Sequence, residues 1–183
     1  MKFSTKKMVM IGVMAALSCV ATMFLKVEIP TPLGKAMFHF GDVFCLSAAM
    51  MLGPVAGGLA GGIGMFFADI FMGWADSAVF TLVFKFIEGF VCGLIAYSFM
   101  RKGNKIGFNV VGAASGTVCY IALYLGKNFL EDYLFLQAEF GTVMADLSTK
   151  LINSATKGLV SVAVSVVLTT LLIKALKKNK IEF

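Results

Sequence analysis

Charged residues are scarce in this chain of 183 residues. Asp, Glu, Lys and Arg make up 14% of it, whereas they make up roughly a quarter of a typical soluble domain. Hydrophobic residues account for 59%, and the mean hydropathy is +0.90. They come in unbroken runs of about 20 residues, the length that crosses a hydrocarbon core about 30 Å thick. The composition excludes an ordinary soluble domain and predicts an integral membrane protein.

Residues that support metal or redox chemistry are also few. His39 is the single histidine, and the four cysteines lie one by one in apolar runs, without the spacing of a metal site. The glycine-rich stretch 57–64 has no following Lys-Ser/Thr and no G-x-G-x-x-G, so it does not predict a phosphate loop. Its small-xxx-small spacing favours close helix packing. We expect no metal, no bound cofactor and no ATPase site in this chain.

The hydrophobic runs predict six transmembrane helices in a single membrane domain covering residues 1–183. Their approximate limits are 8–25, 40–52, 55–73, 79–100, 106–126 and 151–173, the second being short for a full crossing. The first run could pass for a signal peptide but lacks a cleavage site, so we expect a retained helix. Residues 26–35 contain two prolines and form the first loop. Residues 128–141 alternate apolar and acidic side chains, which predicts an amphipathic segment on the membrane surface.

The basic residues orient this topology. They concentrate at residues 2–7, 101–105 and 174–180, which six helices place on one side of the membrane. The positive-inside rule makes that side cytoplasmic, so we expect both termini in the cytoplasm and the first loop outside. This also explains a pI of about 9.2 without a nucleic-acid partner. The expected location is the bacterial cell membrane.

Lys85 and Glu88 lie within the fourth span, three residues apart and therefore on one helix face. A charge at the centre of a bilayer costs about 2.5–3.5 kcal/mol on insertion scales, so such residues usually have a partner or a function. With the spans oriented, the other polar residues of the membrane region also fall in its outer half. The candidate binding residues are Lys85, Glu88, Tyr120, Tyr124, Asn153, Lys157, His39, Phe38 and Asp69.

Two interpretations of this set remain open. In one, Lys85 and Glu88 neutralise each other while lysines reach toward the interface and tyrosines form an aromatic belt. In the other, the fourth, fifth and sixth spans line a water-accessible pocket, open to the outside, for a small, polar, partly aromatic ligand. Glu88 favours the pocket because glutamate is short and this one lies deep. His39, flanked by two phenylalanines, is by itself more typical of an interfacial loop residue.

Several short motifs, in this order, resemble the S components of energy-coupling factor (ECF) vitamin transporters of the riboflavin/hydroxymethylpyrimidine type. They are Phe40-Gly41-Asp42 opening a short span, the Leu52-Gly53-Pro54 turn, the glycine-rich span ending in Asp69, and Phe84-Lys85-x-x-x-Gly89. The resemblance implies a membrane subunit that binds a vitamin or precursor outside the cell. It also implies a pocket formed by the first loop and the outer parts of spans four to six.

The same resemblance implies a partner, an energising module of two ATPases and a transmembrane coupling protein, which uses the ATP. Family members contact the coupling protein through small residues of the first span, typically alanines four apart. Here Gly12, Ala15, Ala16 and Cys19 stand in that place. The expected ligand is hydroxymethylpyrimidine or a pyridoxine-like compound first, and riboflavin second.

Two other functions fit the sequence less well than that of a transport subunit. A stand-alone secondary transporter of a small polar solute usually shows inverted repeats and broken midplane helices, and neither is evident. A small membrane enzyme could use Glu88 or His39 as an acid or base, but no nucleophile with an adjacent base and no paired-carboxylate motif accompanies them. The sequence therefore favours a transport subunit over an enzyme.

Overall fold

The computed structural model describes residues 4–97 and 103–179, and these fold into a helical bundle with one β-hairpin. The elements are α1 Thr5–Phe24, β1 Lys26–Thr31, β2 Gly34–His39, α2 Gly41–Leu52, α3 Pro54–Phe71, α4 Ala75–Ala96, α5 Ile106–Leu130 and α6 Phe140–Lys178, with a π-helical segment Glu131–Phe135 after α5. All the α-helices except α2 are long and apolar enough to cross a membrane. The predicted six-helix membrane fold is confirmed.

The basic ends of the chain meet at one end of the bundle. Lys7 Nζ lies 5.5 Å from the ring centroid of Tyr97, which closes α4. Lys177 Nζ, near the end of α6, donates to Asn104 Oδ1 at 2.6 Å. These contacts join the start of α1, the α4–α5 connection and the end of α6, as an even number of crossings requires. The basic residues 2, 101, 102 and 180 lie outside the described residues.

The first loop is a β-hairpin. β1 and β2 pair antiparallel, with Lys26 opposite His39 and Thr31 opposite Gly34. The pairing satisfies backbone amide and carbonyl groups that would be costly to leave unpaired beside lipid. On its exposed side Glu28 accepts from Lys26 and Lys35, each at 3.0 Å. These hydrogen bonds lower the pKa of Glu28 below its ordinary value, the one from Lys26 having the larger effect and the one from Lys35 the next.

The hairpin explains why the second span is short. α2 has 12 residues, a length of about 18 Å, and every residue in it except Phe44 is buried. A Cβ added to Gly41 would lie 1.9 Å from Thr22 Oγ1 and 2.8 Å from the carbonyl oxygen of Ser18, so α2 begins beside α1 well before α1 ends. β2 therefore carries the chain back into the bundle before α2 starts. The second span is helical only in its inner part.

The glycines of α3 pack the helix between two neighbours. A Cβ on Gly57 would lie 2.2 Å from Ala49 Cα of α2, and one on Gly58 would lie 2.7 Å from the carbonyl oxygen of Phe86 in α4. Close approaches to α2 and α4 recur one turn later, at Gly61 and Gly62. The small-xxx-small pairs therefore serve packing within the chain, because they let α3 come close to both α2 and α4.

We expect Gly57→Val to lower the free energy of unfolding by about 2–3 kcal/mol, because overpacking a filled contact forces the helices apart. Denaturation of the purified protein in detergent measures this loss. Gly126→Val is the matched control, since a Cβ there meets nothing within 4 Å. Equal stability of the two variants would contradict the packing assigned to α3.

The region before the last span differs from the prediction in its limits. α5 continues to Leu130 and α6 already begins at Phe140, so residues 128–141 are not a separate helix. Most of them do lie on the surface, where Leu134, Phe135 and Leu136 are 58%, 82% and 60% exposed, while Asn128 and Asp132 are buried. The early start of α6 was not evident because Asp146 and Lys150 are polar, and part of what buries them comes from other elements.

Candidate functional site

Four charged side chains meet inside the bundle. Asp42 Oδ1 accepts a hydrogen bond from Lys85 Nζ at 2.5 Å, and Asp42 Oδ2 forms an ion pair with Lys157 Nζ at 2.9 Å. Glu88 Oε2 accepts from Lys85 Nζ at 2.7 Å. These residues, called here the ion cluster, are each at most 3% exposed. With two lysines and two carboxylates, the ion cluster has no formal net charge.

The four members of the ion cluster are placed by three helices. Lys85 and Glu88 share one face of α4 because they are three residues apart. Asp42 lies in the first turn of α2, where the helix dipole favours a negative charge. Lys157 comes from the buried stripe of α6 that also contains Asn153, Ser161 and Ser165. Three helices thus converge on a set of charges that none of them could bury alone.

An aromatic side chain of α5 covers the lysines. Lys85 Nζ lies 3.3 Å and Lys157 Nζ 4.9 Å from the ring centroid of Tyr120, both within cation–π range. Tyr124 stacks on Tyr120 at 5.9 Å. The predicted aromatic part of the site is therefore in contact with its charged part.

Two further polar groups border the ion cluster. His39 Nε2, at the end of β2, lies 3.3 Å from Lys157 Nζ. Thr117 Oγ1, on α5, donates to Glu88 Oε1 at 3.5 Å. His39 is 6% exposed, so it is a buried neighbour of the charges and not the interfacial loop residue that its sequence context suggests.

The structure brings most of the sequence-predicted residues together. Successive pairwise contacts link five of them: Glu88, Lys85, Tyr120, Lys157 and His39. Tyr124 extends the group, and Asn153 lies one turn before Lys157 on α6. The other two predicted residues lie outside these contacts: Asp69 is buried on α3, and half-buried Phe38 packs edge-on against Phe40 at 5.7 Å.

Asp42 is the site residue that the sequence analysis left out. It bridges both lysines, yet in the sequence it lies at the junction of a loop and a span, where an exposed position at the interface is expected. Only the return of β2 into the bundle places Asp42 at the level of Lys85. The sequence does contain one signal for Asp42, because it is an acidic residue in the first turn of a helix too short to cross the membrane.

The predicted opening of the pocket to the outside is closed in this structure. The ion cluster and His39 are at most 6% exposed, and the hairpin packs against α6 through β2. The charged groups pair with one another within the bundle. The set is therefore an enclosed polar site and not an open cleft.

A second buried group, called here the outer cluster, ties the hairpin to the helices. Lys150 Nζ contacts Asp146 Oδ2 at 2.6 Å, Asn128 Oδ1 at 2.7 Å and Asp132 Oδ2 at 3.5 Å. Asp146 Oδ1 accepts the backbone N–H of Leu33, between β1 and β2, at 2.9 Å. The turn of the hairpin is thereby bonded to α6, next to the end of α5.

We expect Asp146→Ala to loosen the hairpin, because the change frees the Leu33 amide and removes a carboxylate from Lys150. A hydrogen bond to a charged group contributes about 1.5–3 kcal/mol, so amide hydrogen exchange in residues 26–39 should accelerate about tenfold or more. Mass spectrometry of the exchanged protein measures this rate. Glu28→Gln, in an exposed ion pair, should change it little, and similar rates in the two variants would contradict the role of the outer cluster.

Metal ligation does not account for either cluster. Among residues 4–97 and 103–179, no three His, Cys, Asp or Glu side chains lie close enough to hold a metal ion. The arrangement is suited to hydrogen bonding, charge pairing and aromatic stacking with an organic molecule.

The residues predicted to contact a partner divide into two kinds. Gly12 and Ala16 are exposed on α1. Ala15 is buried against α3, where a Cβ on Gly64 would lie 2.3 Å from its carbonyl oxygen, and Cys19 is half-buried. Of the four, Gly12 and Ala16 are thus the ones most accessible to another protein.

Fold and site together define a small multi-pass membrane protein with an enclosed polar site. Residues 2–178 match the family described as ECF-type riboflavin transporter, S component, and the chain belongs to this family. It is accordingly a multi-pass protein of the cell membrane, as the five long apolar helices also indicate.

One solved structure and one curated relative are similar to this chain. The solved S component of a bacterial ECF transporter has the same fold, with a TM-score of 0.65 and 23% identity over 94% of this chain and 98% of that one. An uncharacterized protein of Pyrococcus woesei is 34% identical over 97 residues. That match covers 53% of this chain and spans 65% of the length of the relative.

Proposed function

We propose that this protein is the substrate-binding subunit of an ECF-type ABC importer and captures a water-soluble vitamin or vitamin precursor outside the cell. Hydroxymethylpyrimidine or a pyridoxine-like compound is the first candidate and riboflavin the second. The observation that carries the proposal is the ion cluster, enclosed between α2, α4 and α6 and covered by Tyr120.

The energetic cost of the ion cluster supports a functional role. Burying ion pairs often stabilises a protein no more than well-packed apolar residues of the same volume would. Ionisable residues within membrane spans therefore mark functional sites by default. In this chain four such residues lie together with two tyrosines, a combination that offers both charge pairing and a stacking surface to a small ring.

Energy for transport would come from a partner. We assign ATP hydrolysis to two ATPases that act with a transmembrane coupling protein, and we assign no cofactor to this chain. Its contact with the coupling protein would use the exposed face of α1, where Gly12 and Ala16 lie among exposed Val9, Val13 and Leu17. Small residues at such spacing let a second helix approach closely.

Reconstitution in liposomes tests this assignment. Uptake of the bound vitamin should require the energising module and internal ATP, and it should be absent with this chain alone. Bulky substitution of Ala16 should reduce uptake while leaving vitamin binding in detergent unchanged. Uptake by the chain alone would contradict the proposal and favour a secondary transporter.

A further inference from the structure

The two lysines of the ion cluster are not equally compensated. Lys85 Nζ contacts two carboxylates, those of Asp42 and Glu88, and also faces the ring of Tyr120 at 3.3 Å. Lys157 Nζ shares Asp42 with Lys85. Among the described residues, its other polar contact is His39 Nε2 at 3.3 Å, which brings no negative charge. Lys157 is therefore the cation with capacity for a further anionic partner.

The two carboxylates also differ in how fully their oxygens are paired. Asp42 uses one oxygen for each lysine. Glu88 uses Oε2 for Lys85, while its Oε1 accepts a single long hydrogen bond from Thr117 at 3.5 Å. A carboxylate oxygen accepts charge-assisted hydrogen bonds at about 2.7–2.9 Å when the partner is well placed. Glu88 Oε1 is thus the acceptor with capacity for a further donor.

Two buried polar atoms near Lys157 are also unsatisfied in the described part of the chain. Asn153 Oδ1 and His39 Nδ1 have no hydrogen-bond partner in the described part of the chain, although their residues are only 7% and 6% exposed. An unsatisfied buried polar atom costs about 1–3 kcal/mol, so such atoms usually have a purpose. Asn153 precedes Lys157 by one helical turn and His39 contacts it, so these groups belong to the Lys157 end of the site.

We infer that the site takes a small amphoteric aromatic ring, with an acidic oxygen bound by Lys157 and a hydrogen-bond donor bound by Glu88. The ring itself packs on Tyr120, which lies against both lysines. The inference rests on the proposed function and narrows its ligand. A hydroxypyridine such as pyridoxine has both groups on one ring, whereas hydroxymethylpyrimidine lacks the acidic oxygen. The fused ring of riboflavin carries no charge pair to match Lys157 and Glu88.

Isothermal titration calorimetry with pyridoxine, hydroxymethylpyrimidine and riboflavin tests the inference on the full-length protein. We expect the wild-type protein to bind pyridoxine at least about tenfold more tightly than the other two, because each charge-assisted hydrogen bond contributes about 1.5–3 kcal/mol. This ranking needs no variant and does not depend on how a substitution folds.

Lys157→Met then tests the assigned contact. We expect it to weaken pyridoxine binding about 10- to 100-fold, for the same reason, and to change riboflavin binding much less. Lys35→Met is the matched control, since the Lys35 side chain is 59% exposed on the hairpin, and it should leave both affinities unchanged. Melting curves of both variants are recorded to check that each protein is folded before its affinity is compared.

Three outcomes would overturn the inference. Tighter binding of riboflavin than of pyridoxine, or equal pyridoxine affinity of folded Lys157→Met and wild type, would reject the amphoteric ligand while the proposed function stands. No binding of any vitamin or precursor across a wider panel would reject the proposed function and the inference with it.

Discussion

Replacing Asp42 with asparagine is expected to destabilise the protein more than any other single change in the site. Asp42 neutralises part of two buried lysines, and after the change Lys157 has no carboxylate within the ion cluster. Breaking a buried ion pair by removing one partner costs about 3–5 kcal/mol, because the remaining charge stays buried. Denaturation in detergent, compared with wild type, measures the loss.

A charge-restoring second substitution gives this prediction its control. Adding Lys157→Met to Asp42→Asn leaves Lys85 paired with Glu88 and returns the ion cluster to neutrality. We therefore expect the double variant to be more stable than Asp42→Asn alone. A double variant less stable than the single one, or an Asp42→Asn protein as stable as wild type, would show that these charges are not compensated as the contacts indicate.

Glu88→Gln is expected to weaken vitamin binding by about 10- to 100-fold, the effect of losing one charge-assisted hydrogen bond of about 1.5–3 kcal/mol. Its effect on folding should be smaller than that of Asp42→Asn, because Lys85 keeps Asp42 as a partner while Asp42 serves both lysines. Calorimetric titration with the bound vitamin and a melting curve in its absence separate the two effects.

Asp76→Asn is the matched control for this variant. It makes the same charge change on the same helix, but Asp76 is exposed in the first turn of α4. Affinity should stay at the wild-type value there. If Glu88→Gln lowers the melting temperature and leaves affinity unchanged, Glu88 has a structural role only.

The helical part of the fold could be predicted because a membrane span is a local property. About 20 apolar residues in a row suffice to identify a span whatever surrounds it. The limits of α6 were harder, since Asp146 and Lys150 look like surface residues in the sequence. They are buried because they pair with each other, while Asn128, Asp132 and the turn of the hairpin supply the remaining contacts. Contacts between distant segments leave no local pattern.

The sequence predicts the depth of each polar residue in the membrane, and it predicts the site only as far as depth determines it. Orientation by the positive-inside rule placed Lys85, Glu88, Tyr120 and Lys157 in the same half of the bilayer, and the structure brings them into contact. Asp42 was missed because its depth depends on the hairpin, which neither hydropathy nor charge indicated. The closure of the site depends on the same hairpin, so it was missed for the same reason.

Mass spectrometry of the small molecules released from purified wild type and Glu88→Gln shows whether the ion cluster holds a substrate. We expect a stoichiometric amount of one water-soluble vitamin or precursor from wild type, and little of it from a folded Glu88→Gln protein. Recovery of no such molecule from wild type after growth with a full vitamin supply, or equal recovery from both proteins, would contradict a substrate site at the ion cluster.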